Sequence, residues 1–228
     1  MSASVLVDYY TDPMCPWSWA FQPVLERIRQ NYRDRVRIRY RMLPIYEDIS
    51  QHTDPRHSLW GSVRDLADHW REVAQQAGAW IDPGLWLEDP PVTCWTACRA
   101  YHAAARQDRT VGDRFLWMMR EAFLKRRMNL ARTDRLAELA QEAAGRMCLD
   151  PDRLLRDTEA SWTREAVEED RHAAAEEGIR ERPTLVFEGG HRLVFGPYRL
   201  FAGVLDVLLE EKAKNVSAGE GGWTGRAK

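Results

Sequence analysis

Asp12-Pro13-Met14-Cys15-Pro16-Trp17-Ser18-Trp19 is the stretch on which the reading of this chain turns. It follows a short apolar run over residues 4–10 and opens a segment with helical spacing, so it is a turn from a strand into a helix. A cysteine in that position has special chemistry. The first N–H groups of a helix lack intrahelical partners, and the helix dipole adds partial positive charge there. Both favour the thiolate, which is the reactive form of the side chain. Pro16 suits the first helical turn, where its missing N–H costs nothing. Ser18 stands where a Cys-x-x-Cys pair would carry its second thiol. A disulfide made by Cys15 therefore needs another molecule or a cysteine brought from elsewhere in the chain.

Outward from this stretch, residues 16–32 read as one helix, with Phe21, Val24, Leu25 and Ile28 at helical spacing. Residues 35–42 alternate. Val36, Ile38 and Tyr40 face one way and Arg35, Arg37, Arg39 and Arg41 the other, which is a strand with one polar face. The arginines are expected to be solvated or paired with acidic residues of the helices. The three elements form a strand–helix–strand unit long enough for a parallel crossover.

The chain to residue 179 then reads as helical. Leu59, Val63, Leu66, Trp70 and Val73 set a helix over residues 58–77, and residues 83–91 form a loop. Helices follow at 93–106 and 110–127. Thr133 is the expected N-cap of a helix over 134–144, with Gly145 as its stop. Asp150-Pro151 opens a short helix ending near Arg156, and Gly178 ends a charged helix over 161–177. Strand character returns at residues 184–187 and 191–195 around Gly189-Gly190, a hairpin. Residues 197–212 make the last helix. From Asn215 the polar, Gly-rich tail is expected to be disordered. The order β-α-β, helices, β-β-α fits an α/β protein with a four-stranded mixed sheet. Residues 1–50 and 180–213 would form the sheet domain and residues 51–179 a helical insertion over its edge, leaving a tail over 214–228.

A chain of 228 residues is one domain, here with a large insertion, and its hydrophobic fraction of 44% supports a real core. A net charge of −2 gives no reason to expect nucleic acid or an anionic membrane as partner. No basic segment followed by an apolar stretch marks a signal peptide, and no run approaches the roughly 20 apolar residues of a membrane span. Cys15, Cys94, Cys98 and Cys148 are too few for a disulfide scaffold. The expected compartment is the reducing cytoplasm, where a cysteine at a helix start is more often catalytic than structural. Cys94, Cys98 and His102 share one helix face. Their span of about 12 Å is too long for ligand bonds of roughly 2.0–2.3 Å, so no metal site is expected, and a buried cysteine pair is the better reading.

Three segments resemble the DsbA-like branch of the thioredoxin superfamily. They are Asp12-Pro13-Met14-Cys15-Pro16-Trp17-Ser18-Trp19-Ala20-Phe21-Gln22-Pro23, then Ala97-Cys98-Arg99-Ala100-Tyr101-His102-Ala103-Ala104 with residues 115–123, and Arg182-Pro183-Thr184-Leu185-Val186-Phe187. The chain is similar to cytoplasmic members with a Cys-x-Trp-Cys-Trp motif: FrnE-like proteins, the SpxH adapters, and their relatives among the DsbA-family dithiol-disulfide isomerases. The resemblance implies a thioredoxin fold with a DsbA-like helical insertion. It also implies a cis bond at Pro183 beside Cys15, with the Arg182 backbone free to pair with an extended substrate. Two positions depart from the family: Ser18 replaces the resolving cysteine, and Arg182 stands where an aliphatic residue is common.

With Ser18, exchange would stop at a mixed disulfide until a second thiol such as glutathione resolves it. The expected catalytic residues are Cys15, Ser18 and Pro183, and the expected substrate contacts are Pro16, Trp17, Arg182 and Thr184. Arg182 would stabilise the thiolate and could hold a carboxylate of glutathione. In the family the helix of Cys94 begins near the active site, which makes Cys94 a candidate distant resolving thiol. Trp17 and Trp19 point about 200° apart on a helix, so one should pack inward and one line the groove. Trp70, Trp117 and Trp162 are expected in the core. The first reading is a monothiol thiol–disulfide oxidoreductase or isomerase. It has no permanently bound cofactor; its partners are protein thiols or disulfides, with glutathione as co-substrate. The alternatives are a non-enzymatic adapter that binds a protein partner, and a glutathione-dependent transferase or isomerase of the kappa-class kind.

Overall fold

The computed structural model describes residues 4–53 and 61–220. Its sheet has four strands in the order β2-β1-β3-β4. The central strand β1 (Val5–Thr11) runs parallel to β2 (Val36–Met42), with Val5 opposite Val36 and Thr11 opposite Met42. Its other edge pairs antiparallel with β3 (Thr184–Phe187), placing Val7 opposite Phe187. The short β4 (Arg192–Val194) pairs with β3 across a turn in which Gly189 and Gly190 both have positive φ. Only glycine adopts that backbone without strain.

The alternation of β2 has the consequence expected of it. Ile38, Tyr40 and Met42 are buried in the main core with Val5, Val7 and Tyr9 of β1. On the other face Arg39 pairs with Asp8, and Arg41 reaches Asp8 and Asp170. Burying a Leu or Phe side chain contributes about 1.5–3 kcal/mol, whereas an exposed ion pair contributes about 0–1 kcal/mol. The apolar face therefore fixes the register of β2.

The helical reading of residues 16–32 needs correction. The segment is two helices, α1 (Pro16–Ala20) and α2 (Gln22–Tyr32), separated at Phe21. Pro23 has no N–H to continue the ladder, and its ring crowds the preceding turn. Phe21 fills the corner and packs on Tyr9 and on Phe201, at 6.0 and 4.8 Å between ring centroids. Beyond β2 come α3 (Ile49–His52), α4 (Val63–Ala77), α5 (Gly84–Glu88), α6 (Trp95–Gln107), α7 (Arg109–Arg126), α8 (Thr133–Ala144), α9 (Pro151–Glu159) and α10 (Ser161–Glu176). The last helix is α11 (Tyr198–Glu220).

Ser62, Asp108 and Asp150 cap α4, α7 and α9 with side-chain oxygens. Thr133 does not cap α8; it is the first helical residue, and Arg132 precedes it without a side-chain capping bond. The expected loop over 83–91 contains α5. The first part of the helix expected over 58–77 lies outside the described residues, as do residues 221–228 of the expected tail. Residues 214–220, expected to be disordered, continue α11.

Helix α10 is tied to the sheet edge by Asp170. Its carboxylate accepts from the Met42 N–H at 2.7 Å and from Arg41 at 2.9 Å, and it lies 3.0 Å from His102 Nε2. Helices α6 and α7 pack so closely that a Cβ on Gly112 would lie 2.6 Å from the Ala105 Cα. Trp70 is buried in the core as expected, but Trp117 is 37% exposed and stacks beside Trp19 instead. Trp162 is half-buried under Arg106. Among the described residues, no helix is long and apolar enough to cross a membrane.

Candidate active site

Cys15 is the N-cap residue of α1. Its backbone is extended, and its Sγ accepts the Ser18 N–H at 3.4 Å. This is the place of a capping oxygen, filled here by sulfur. The thiol donates in turn to the Arg182 carbonyl at 3.5 Å. That carbonyl lies just before Pro183, and the Arg182–Pro183 bond is cis. The turn before Cys15 is held by Asp12, a fully buried side chain. One carboxylate oxygen accepts the Met14 N–H at 2.6 Å, and the other accepts the Ile45 N–H at 2.9 Å. Burial pushes the Asp12 carboxyl up from its ordinary value, against the pull of these N–H groups and of Arg182.

Above the thiol is a cavity of about 210 Å³. Cys15, Pro16 and Trp17 form one side of it. Tyr46, Trp70 of α4 and Trp86 of α5 make an aromatic wall, and His69 and Arg182 bring polar groups. Burial pushes the His69 imidazole down, so it is neutral at pH 7. A larger cleft of about 540 Å³ lies between Leu43 and α10, but no cysteine lines it.

Only part of the expected site comes together around this cavity. Pro16, Trp17 and Arg182 line it with Cys15. Ser18 is fully buried and faces the sulfur. Pro183 is buried and does not line the cavity. Thr184 is 1% exposed and donates its hydroxyl to the Glu181 carbonyl at 2.7 Å, so it does not reach the space a substrate would occupy. Of the two tryptophans, Trp17 lines the cavity as expected of one of them, but Trp19 is half-buried rather than packed fully inward. Trp17 stacks edge-on against Phe195 at 4.8 Å, and Trp19 lies under Lys125 with its indole N–H on the Trp80 carbonyl. Cys94 and Cys98 are buried beside Asp12; Cys98 Sγ lies 3.9 Å from its carboxylate. All four cysteines are free.

The expected lowering of the Cys15 pKa is not what the surroundings produce. Burial is the largest influence and pushes the thiol up. The Ser18 hydroxyl and N–H and the Arg182 guanidinium pull it down, and Asp12 pushes it up again. The hydrogen bond to the Arg182 carbonyl also favours the neutral thiol, because a thiolate has no proton to donate. Asp12 and His69 escaped the sequence reading. Asp12 sits inside the quoted stretch, where its two N–H partners depend on the fold. His69 stands beside a core tryptophan with nothing in its spacing to single it out.

A four-stranded mixed sheet with a cysteine at the N-terminus of the first helix and a cis-proline before β3 defines a thioredoxin-like protein. A family model described as thioredoxin matches residues 9–191, and the chain belongs to the thioredoxin family. Among curated proteins it is similar to the ClpXP adapter protein SpxH of Halalkalibacterium halodurans, 29% identical over 88% of this chain. The chain spans 66% of that adapter's length. Among solved structures it is similar to the cytosolic disulfide reductase DsbM of Pseudomonas aeruginosa with GSH. That likeness has a TM-score of 0.70 at 17% identity, and covers 90% of this chain and 99% of the other. The oxidoreductase NmDsbA1 of N. meningitidis has a TM-score of 0.60 at 12% identity, over 95% of this chain and 88% of the other.

Proposed function

We propose that the protein is a thiol–disulfide exchange protein that works through Cys15 alone. The observation that carries this is the Cys15 sulfur capping α1, accepting the Ser18 N–H, beneath a cavity open to substrate. The Cys15 thiolate attacks one sulfur of a disulfide. A new S–S bond joins Cys15 to that sulfur, and the other substrate sulfur leaves as a thiolate and takes up a proton. Ser18 offers no second thiol, so the mixed disulfide waits for an external thiolate, which bonds to one of its sulfurs and expels the other.

Glutathione is the external thiol we assign, in keeping with the similar disulfide reductase, whose structure is described with GSH. The cavity of about 210 Å³ is below the roughly 300–1,000 Å³ of sites that enclose a drug-sized ligand. It takes the cysteine part of a substrate and leaves the rest outside, where Arg182 can meet a carboxylate. In this reading residues 1–50 and 180–213 form the thioredoxin-fold domain, and residues 51–179 are the helical domain that supplies Trp70 and Trp86 of the aromatic wall.

Treatment with oxidised glutathione followed by intact mass and peptide mapping tests the proposal. One glutathione adduct on Cys15, absent in Cys15→Ala, is expected. An adduct confined to the exposed Cys148 would overturn it.

A second reading has its own support. Cys15 is only 3% exposed and its thiol is pushed up by burial, while Trp80 is 70% exposed and the similar curated protein is an adapter. On that reading the fold holds a protein partner, and Cys15→Ala retains full binding of it.

A further inference from the structure

We propose that Arg120 is a positioning residue for the candidate site: through Thr11 it fixes the Ser18 hydroxyl as a hydrogen-bond donor to Cys15. Arg120 lies on α7 and is the largest fully buried side chain, 1% exposed. Among the described residues no carboxylate lies within ion-pair distance of it, and its Nε has no hydrogen-bond partner. A buried cation in that condition is costly unless its field is used or balanced nearby. Its guanidinium has two neutral partners. One Nη donates to Gln22 Oε1, and the Gln22 amide donates on to Glu26 at 2.8 Å. The other Nη donates to Thr11 Oγ1, and Thr11 Oγ1 stands 2.9 Å from Ser18 Oγ.

The direction of this chain follows from donor chemistry. A guanidinium has no lone pair to offer, so Thr11 must accept from it. The single Thr11 proton is then given to Ser18. Ser18 Oγ, already accepting, has its own proton free to turn toward the Cys15 sulfur, which the Ser18 backbone N–H meets at 3.4 Å. Each bond polarises the next in a dry interior, and Thr11 and Ser18 are both fully buried. The relay therefore delivers part of a buried positive charge to the sulfur, and it does so with a hydroxyl where a second thiol would otherwise stand. The other charged or titratable groups facing Cys15 include Asp12 on its own turn, Tyr46 after β2, Arg182 before β3 and His69 on α4.

This inference deepens the exchange reading and rests on it for its use, but its test does not depend on exchange. The ionisation midpoint of Cys15 is followed by NMR through its Cβ chemical shift, which reports the thiol whether or not it forms mixed disulfides. Thr11→Val keeps the shape and removes the hydroxyl. We expect it to raise the midpoint, cutting the thiolate fraction below that midpoint about tenfold, as for loss of one bond in a charge-assisted chain. Thr11→Ser restores the wild-type midpoint. Arg120→Met raises the midpoint in the same direction, and the double variant shifts it no further than the larger single change. Should Arg120→Met not fold, the Thr11→Val and Thr11→Ser pair decides alone. A folded Thr11→Val protein with the wild-type midpoint overturns the inference, as does an Arg120→Met effect that adds in full to that of Thr11→Val. Failure to form any glutathione adduct, with the Thr11 effect intact, would count only against the exchange reading.

Discussion

Gly112 and Gly203 are both helical glycines, and replacing each by alanine should move stability in opposite directions. A Cβ on Gly112 would lie 2.6 Å from the Ala105 Cα, 2.7 Å from its Cβ and 2.8 Å from its N. Two of these atoms are backbone of α6, so no rotamer change relieves the contact. Helices α6 and α7 must move apart, and such overpacking costs about 1–3 kcal/mol. Alanine returns about 0.8–1 kcal/mol through helix propensity, so the net loss at Gly112 runs from about 0 to about 2 kcal/mol. At Gly203, on α11, a Cβ meets nothing within 4 Å. Only the propensity remains there, a gain of about 0.5–1 kcal/mol.

Urea unfolding measures both. The expected result is a lower midpoint for Gly112→Ala, a higher one for Gly203→Ala, and an unchanged slope in each. The site should feel only the first change, because α7 carries Arg120 beneath β1. A Gly112→Ala protein stabilised as much as Gly203→Ala would refute the reasoning, since the two helices would then have slack that the distances deny.

Three further outcomes follow from the site. Asp12 pushes the Cys15 thiol up, so Asp12→Asn should lower the Cys15 ionisation midpoint, read from alkylation rate against pH; an unchanged midpoint would mean that Asp12 carries a proton there already. Ser18→Cys should allow a disulfide between positions 15 and 18, seen as loss of two mass units and of Cys15 alkylation after oxidation; two free thiols under oxidant would show that the turn cannot close. The folded His69 pKa lies below the ordinary 6.5, so the unfolded chain binds that proton more readily. Wild-type stability should therefore fall as pH drops through 6.5 toward the folded value, and His69→Gln should flatten that part of the profile.

The sheet was legible because its signals are local. The period of two in β2 states which residues face inward, and Gly189-Gly190 marks the hairpin. The break at Phe21 was masked because Leu25 and Ile28 continue the apolar spacing straight past Pro23. Trp117 was misplaced because its indole lies beside half-buried Trp19 rather than in the core. The cavity was not legible at all. Periodicity tells that Trp70 is buried, but not that it meets Trp86 and faces Cys15 across the chain. Arg120 did carry a signal. It lies four residues after Leu116 and three before Phe123, a lone charge on an otherwise apolar helical face.

The pairing of β1 has a consequence for how the chain assembles. Its partner β2 follows within a few dozen residues, but Phe187 must reach back to Val7 across nearly the whole chain. Contacts that distant form late, after the intervening helices have shortened the path between them. During synthesis from the N-terminus, β1 has one edge bare until residues 184–187 emerge. The Arg182 carbonyl arrives with that strand, so Cys15 meets its aromatic wall first and then, well over a hundred residues beyond itself, its backbone acceptor. A growing polypeptide thus carries a thiol that lacks one of its hydrogen-bond partners until that strand emerges.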